Sequence, residues 1–237
     1  MARTAVVAGV GPGLGESIAR KFASEGCNVG LFARSDEYLG ELAGELHAET
    51  AGDAAAVPTD ITDESQVESA FERVRETFGP VDVLVNHAGG GGWSGLRESS
   101  AEEFEDAWRT CAYGAFLCSK RAVSDMVEGN GGTVIFTGAT SAVRGRGGAA
   151  GFSSAKFAVR GLAESMAREL GPKGVHVAHA VIDGQILTPD AREQADGRSE
   201  DSFLDPDAIA ESYWHLVEQD RTAWTLELDL RPAVEEF

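Results

Sequence analysis

The residues of this chain best suited to chemistry begin with a run of glycines. Ala8-Gly9-Val10-Gly11-Pro12-Gly13-Leu14-Gly15 closes an apolar run and opens a helix near Glu16. Glycine lets the chain turn sharply and lets a pyrophosphate approach the backbone. The amides at the helix start then face those phosphates with a partial positive charge. Between a strand and a helix this pattern is expected to hold a dinucleotide; alone it is also a plain structural turn. The second apolar run ends Leu31-Phe32-Ala33-Arg34-Ser35. A carboxylate there would accept from a ribose 2′-hydroxyl. Ala33 followed by Arg34 instead offers a planar cation for a 2′-phosphate, so NADP is expected over NAD. The other reading of Arg34 is a solvated surface charge. Asp60 is placed either to bond an adenine amino group or to start a turn.

These residues need a scaffold of strands that end together. Near-continuous apolar runs at 4–9, 28–33, 55–60, 81–86, 133–138, 175–182 and 224–230 have the character of strands covered on both faces. The last alternates as a half-exposed strand does. Between the runs lie helices with recognisable starts: Asp63 and Ser100 with capping-box spacing to Gln66 and Glu103, and Asp205 before Pro206. The helix through Lys156 meets a stop at Gly171-Pro172. This alternation predicts an α/β fold, a doubly wound parallel sheet with helices on both faces. No linker or repeat divides residues 1–237, so one domain is expected, with a polar, mobile loop on the substrate side at about 188–205.

Charge narrows the partners. With 20 basic and 39 acidic residues the net charge is −19. Nucleic acid and anionic membranes are disfavoured as partners, because both repel such a surface. Sixteen arginines against four lysines, with this acidic excess, fit either a surface suited to high salt or an ordinary acidic protein. Cys27, Cys111 and Cys118 form no CxxC pair and no zinc pattern, and no metal is expected. The first apolar run is too short for a signal segment and no run is long enough to span a bilayer, so a cytoplasmic location is expected.

Taken in order, these segments resemble the short-chain dehydrogenase/reductase family over nearly the whole chain. Ala8-Gly9, Gly13 and Gly15 are similar to its TGxxxGxG turn, and Asp60-Ile61 to its adenine contact. Asn86-His87-Ala88-Gly89 is similar to its NNAG element. Phe152-Ser153-Ser154-Ala155-Lys156 falls where that family has YxxxK, and Asp183-Gly184-Gln185-Ile186-Leu187-Thr188 where it has PG followed by a nicotinamide-contacting Thr. The resemblance implies a Rossmann-like, seven-stranded parallel sheet. It also implies a cofactor across the strand ends, touched by Gly9, Gly11, Gly13, Leu14, Gly15, Arg34, Asp60, Ile61, Asn86, Ala88, Gly89, Lys156, Gly184, Ile186 and Thr188. A small-molecule substrate and a homodimer or homotetramer are implied as well, the latter through the helices around Gly114 and 157–170.

The catalytic set departs from that family. Its proton-donating Tyr maps to Phe152, its Ser to Ala139 and its Asn to Cys111; Lys156 is kept as the ribose ligand. Thr140 and Ser141 stand next to the lost Ser and carry hydroxyls. A positioned acid contributes roughly two to four powers of ten in rate, so the family's usual mechanism does not apply unchanged. His87 is a candidate relay acid or a structural residue, and Asp183 brings a carboxylate toward the nicotinamide or caps a turn. Tyr113 and Tyr213 are expected to pack, and Trp93, after four glycines, either roofs the substrate or anchors its loop. Three functions stay open. The chain is an NADP-dependent oxidoreductase with an atypical proton donor, a non-catalytic NADP-binding sensor or structural subunit, or an enzyme of another chemistry such as elimination assisted by Asp183.

Overall fold

In the computed structural model, which describes residues 2–194 and 197–234, seven strands form one parallel sheet. The strands are β1 (Thr4–Ala8), β2 (Asn28–Ala33), β3 (Ala54–Pro58), β4 (Val83–Asn86), β5 (Gly132–Thr137), β6 (Val175–Ile182) and β7 (Glu227–Leu230). Their spatial order is β3-β2-β1-β4-β5-β6-β7. The helices are α1 (Leu14–Ser24), α2 (Asp36–Glu49), α3 (Glu64–Phe78), α4 (Ala101–Trp108), α5 (Gly114–Glu128), α6 (Ala150–Leu170), α7 (Pro189–Glu193) and α8 (Pro206–Val217).

The apolar runs of β1, β2, β4, β5 and β6 become inner strands that bury both faces, while the edge strands β3 and β7 stay partly exposed. Along β1, Val6 and Ala8 join the core under α3, α5 and α6, while Ala5 and Val7 join the core under α1, α2 and α8. Phe32 and Phe71 meet edge to face at 5.3 Å in the first core, and Phe22 and Trp214 at 5.5 Å in the second. The order reverses between β1 and β4, and this switch point opens a crevice at the carboxyl ends of the strands.

Helix starts follow the expected signals, but neither capping box closes reciprocally, and Gln66 Oε1 accepts from the Asp60 amide at 2.9 Å instead of that of Asp63. Asp63 accepts from the amides of Ser65 and Gln66, and Asp205 accepts from Asp207. Ser100 accepts from the Glu103 amide, but the Glu103 carboxylate turns to Ser94 Oγ at 2.7 Å instead of closing a reciprocal box. The third strand stops at Pro58, short of 60, because Asp60 folds into a turn with Thr62. The last strand starts at Glu227, not 224. Arg221–Ala223 is a 3-10 turn, and Trp224 stacks on His176 at 5.0 Å instead of joining the ladder.

Two features were not expected. Arg109–Tyr113 winds as a π-helical turn between α4 and α5. The segment expected as a polar, mobile loop at 188–205 contains α7, a 3-10 turn at Glu200–Ser202 and a bridge from Ile186 to Leu204, with Phe203 and Leu204 buried. Two apolar side chains at the end of this segment are buried despite its polar composition; residues 195 and 196 lie outside the described residues. Among the described residues no helix is long and apolar enough to cross a membrane. The core under α3 makes a direct prediction: Phe71→Ala lowers the unfolding free energy by about 3–5 kcal/mol in urea titration, since it removes a fully buried ring.

Candidate active site

The crevice at the switch point is a cleft of about 1690 Å³. Its floor begins where β1 ends. Gly9 has φ 109°, its amide and that of Val10 donate to the Phe32 carbonyl, and a Cβ at Gly9 would stand 2.4 Å from the Ala88 nitrogen. Only glycine lets the two chain segments cross this closely. A Cβ at Gly15 would lie 2.5 Å from the Gly9 carbonyl, and one at Gly13 2.9 Å from Thr188 Cγ2, whereas at Gly11 it would meet nothing. Glu16 and Ser17 donate back to Gly11 and Gly13, leaving the Leu14 and Gly15 amides of the first turn without carbonyl partners among the described residues. Gly9 and Gly11 line the cleft, while Gly13, Leu14 and Gly15 shape the turn from behind it.

On one side of this turn Arg34 lines the cleft as an exposed side chain, with no carboxylate paired to it among the described residues. Asp60 and Ile61 line the same end. Asp60 Oδ1 accepts from the Thr62 amide at 2.9 Å and the Thr62 hydroxyl at 2.8 Å, so the turn-starting role exists alongside any contact to a ligand. Just after β4, Ala88 and Gly89 line the cleft, but Asn86 at the strand's end does not. The Asn86 amide nitrogen donates to Ser119 Oγ at 3.0 Å, so its side chain ties β4 to α5.

Lys156 is the centre of the other side. It lies on α6, is 4% exposed, and its Nζ donates to the Thr137 carbonyl at 2.8 Å. An ammonium has three donors, and the remaining two have no hydrogen-bond partner among the described residues. Burial lowers its pKa, with the Cys111 thiol opposing the shift. Gly89 is shaped to it: a Cβ there would stand 3.2 Å from Nζ. The Phe152 ring lies 5.6 Å from the same nitrogen and stacks on Trp93 at 4.3 Å, so an aromatic pair fills the place that the resemblance gives to a tyrosine.

Thr140 and Ser141 form a 3-10 turn after β5, and Ser141 is buried. The Thr140 hydroxyl donates to Asp183 Oδ1 at 2.6 Å. Asp183 is 4% exposed; Arg144 Nη2 lies 3.3 Å from both its oxygens and Arg231 Nη1 3.8 Å from Oδ2. Gly184, Ile186 and Thr188 follow along the rim, with Thr188 Oγ1 capping α7.

Sequence reasoning missed Thr137, Arg144 and Arg231. The signal available for Thr137 was its place at a strand's carboxyl end. Its hydroxyl accepts from Tyr213, a fully buried phenol that does more than pack, at 2.9 Å. The same oxygen lies 3.3 Å from His87 Nδ1. Burial, with the Lys156 charge adding to it, pushes His87 down to about 4. His87 is therefore a neutral imidazole near pH 7 and no charged proton donor.

The donor set fits a dinucleotide: a turn that excludes Cβ atoms, two amides without carbonyl partners, a guanidinium at one end and a buried ammonium with two spare donors at the other.

Comparison with known proteins agrees. The family model for short chain dehydrogenases matches residues 3–199. An uncharacterized oxidoreductase of Bacillus subtilis is 32% identical over 216 residues, which is 89% of this chain and 31% of that protein, so the chain spans about a third of that relative's length. A short-chain dehydrogenase of Rhodopseudomonas palustris superposes with TM-score 0.84 at 33% identity, covering 97% of this chain and 98% of the other. An alcohol dehydrogenase of Thermococcus sibiricus, solved with 5-hydroxy-NADP, superposes with TM-score 0.87 at 27% identity over 100% and 99% of the two chains.

The depressed histidine predicts a pH effect on stability. The folded state resists protonating His87 between its ordinary value of 6.5 and about 4, while the unfolded chain takes the proton up. Its contribution is complete above pH 6.5 and is lost as pH falls toward 4, a span of about 3 kcal/mol at full extent. Urea titrations from pH 7 to 5 should show His87→Gln with a shallower decline than the parent; equal slopes would contradict the assignment.

Proposed function

The chain belongs to the short-chain dehydrogenase family, and on that premise we propose that it moves hydride between NADP(H) and a small carbonyl or alcohol substrate without a tyrosine proton donor. The observation that carries this reading is Lys156: a buried ammonium at the cleft wall with one main-chain acceptor and two donors to spare. Those donors suit the two hydroxyls of a ribose. Arg34 suits a 2′-phosphate, and the relative solved with an NADP derivative supports the same preference. The exposed apolar side chains Phe104, Trp108, Phe116 and Phe157 on α4, α5 and α6 support a homo-oligomer.

Arg34 and Lys156 would hold the dinucleotide in this cleft, and its nicotinamide would supply or accept the hydride exchanged with a carbonyl or carbinol carbon. The proton is left to the protein. Because the Thr140 hydroxyl donates to Asp183, its oxygen is free to accept. In oxidation the substrate hydroxyl donates to Thr140 Oγ1, and Thr140 passes its own proton to Asp183 Oδ1. Reduction returns the proton along the same path, from Asp183 through Thr140 to the substrate oxygen. Arg144 and Arg231 hold the carboxylate in place. His87 has no part in this path.

A second reading is favoured by the Phe152–Trp93 stack, which puts hydrocarbon beside Lys156: the cleft binds NADP(H) as a sensor and turns over nothing. Binding and turnover separate the two. In calorimetric titration NADPH is expected to bind at least tenfold more tightly than NADH. Arg34→Ala should remove that preference, and Lys156→Ala should weaken both ligands. Equal affinity of the parent for NADPH and NADH would remove the NADP claim. On a panel of aldehydes, ketones and alcohols, Asp183→Asn and Thr140→Val should each lower kcat by about ten- to a thousandfold with NADPH affinity unchanged. Phe152→Tyr should raise it. NADPH binding with no turnover by parent or Phe152→Tyr would favour the sensor.

A further inference from the structure

The chain carries 20 basic and 39 acidic residues, yet its cleft reverses that balance. Six cationic side chains, five arginines and Lys156, line it against four aspartates. Arg34 and Lys156 are accounted for by the dinucleotide, Arg109 donates to the Thr62 carbonyl at 3.1 Å, and Arg198 donates to Gln185 Oε1 at 2.7 Å. That leaves Arg146, and Arg144, which spends only part of its guanidinium on Asp183. Both stand in Arg144-Gly145-Arg146-Gly147-Gly148, the loop that joins the Thr140 turn to α6.

Arg146 is exposed, and no carboxylate pairs with it among the described residues. Its position is nevertheless fixed. Its main-chain amide donates to Ser153 Oγ at 3.1 Å, and its guanidinium lies 5.9 Å from the Trp93 ring centroid. Trp93 in turn stacks on Phe152, and Phe152 faces Lys156, so the guanidinium is two aromatic rings away from the redox end of the cleft. Arg144 spends Nη2 on Asp183, and its side chain is 53% exposed, which leaves the rest of its fork toward the cleft. Trp93 is itself 54% exposed.

In a protein where carboxylates outnumber cations almost two to one, an arginine left without one beside a cleft has its fork available for another anion. The surrounding surface would repel such a ligand, and local guanidinium charge within about 10 Å offsets that at ordinary ionic strength. We propose that the substrate carries an anionic head group, a carboxylate or a phosphate. Arg146 and the free part of Arg144 hold that group, the substrate's apolar body lies on Trp93 and Phe152, and its carbinol or carbonyl group reaches Thr140. This rests on the oxidoreductase reading of the same cleft and adds the class of substrate to it.

The test compares matched ligands by calorimetry, with and without saturating NADP+. Benzoylformate is paired with its neutral methyl ester, and dihydroxyacetone phosphate with dihydroxyacetone. At least one anion is expected to bind about tenfold or more tightly than its neutral partner, and whichever pair shows the preference identifies carboxylate or phosphate as the head group. Arg146→Gln should erase most of that preference while leaving NADP+ affinity unchanged, and Arg146→Lys should keep part of it. Equal binding within both pairs, or a preference that survives Arg146→Gln, overturns the proposal. Failure of NADP+ to bind would strike the oxidoreductase reading instead, and the anion preference read without cofactor would still decide the site.

Discussion

A buried ammonium holding one main-chain carbonyl is the constraint around which the cleft is built. Taking a lysine out of water costs several kcal/mol unless its donors are met. The protein meets one of them, at the Thr137 carbonyl, and opens the others to the cleft. Several details of the surrounding chain follow from that choice. Gly89 has no Cβ to press on the ammonium, Phe152 offers it a ring face, and β5 ends where its last carbonyl can reach it. Thr137 is fixed from behind by Tyr213, a phenol with no exposure to solvent. Tyr213 thus acts on the cleft at second hand, through the residue that anchors Lys156.

The opposite wall follows from backbone geometry. Gly9 crosses Ala88 at a distance no side chain permits, and this crossing brings β1 and β4 together at the point where the sheet changes direction. Between the two walls, the Thr140 hydroxyl and the Asp183 carboxylate line the cleft, joined by a hydrogen bond, and the proposed proton path runs through them. A hydroxyl already donating to a carboxylate can receive a proton as its own is passed on, and this polarity distinguishes Thr140 from the buried Ser141 beside it.

Much of this was legible in the chain. Strands covered on both faces are nearly continuous apolar runs, so their places were readable to within a few residues; the glycine turn stood out by type and spacing, and Lys156 through the family resemblance. The misses have physical causes. The tie from Asn86 to the hydroxyl of Ser119 on α5 was not readable, because the partner lies far away in sequence. The π-helical turn at Arg109–Tyr113 is a slip in backbone hydrogen bonding and leaves no mark in composition. Polar composition across 188–205 hid the short helix α7 and the burial of Phe203 and Leu204. The stacking of Trp93 on Phe152 depends on how two separate loops meet, which periodicity does not encode.

The most direct measurement of the central claim is a crystal structure of the protein grown with NADPH. The account requires the diphosphate against the amides that follow Gly11, the 2′-phosphate within reach of Arg34, and both nicotinamide-ribose hydroxyls within hydrogen-bond distance of Lys156 Nζ. A cofactor that binds elsewhere, or a Lys156 whose remaining donors are met by the protein while the ribose lies apart, would contradict it.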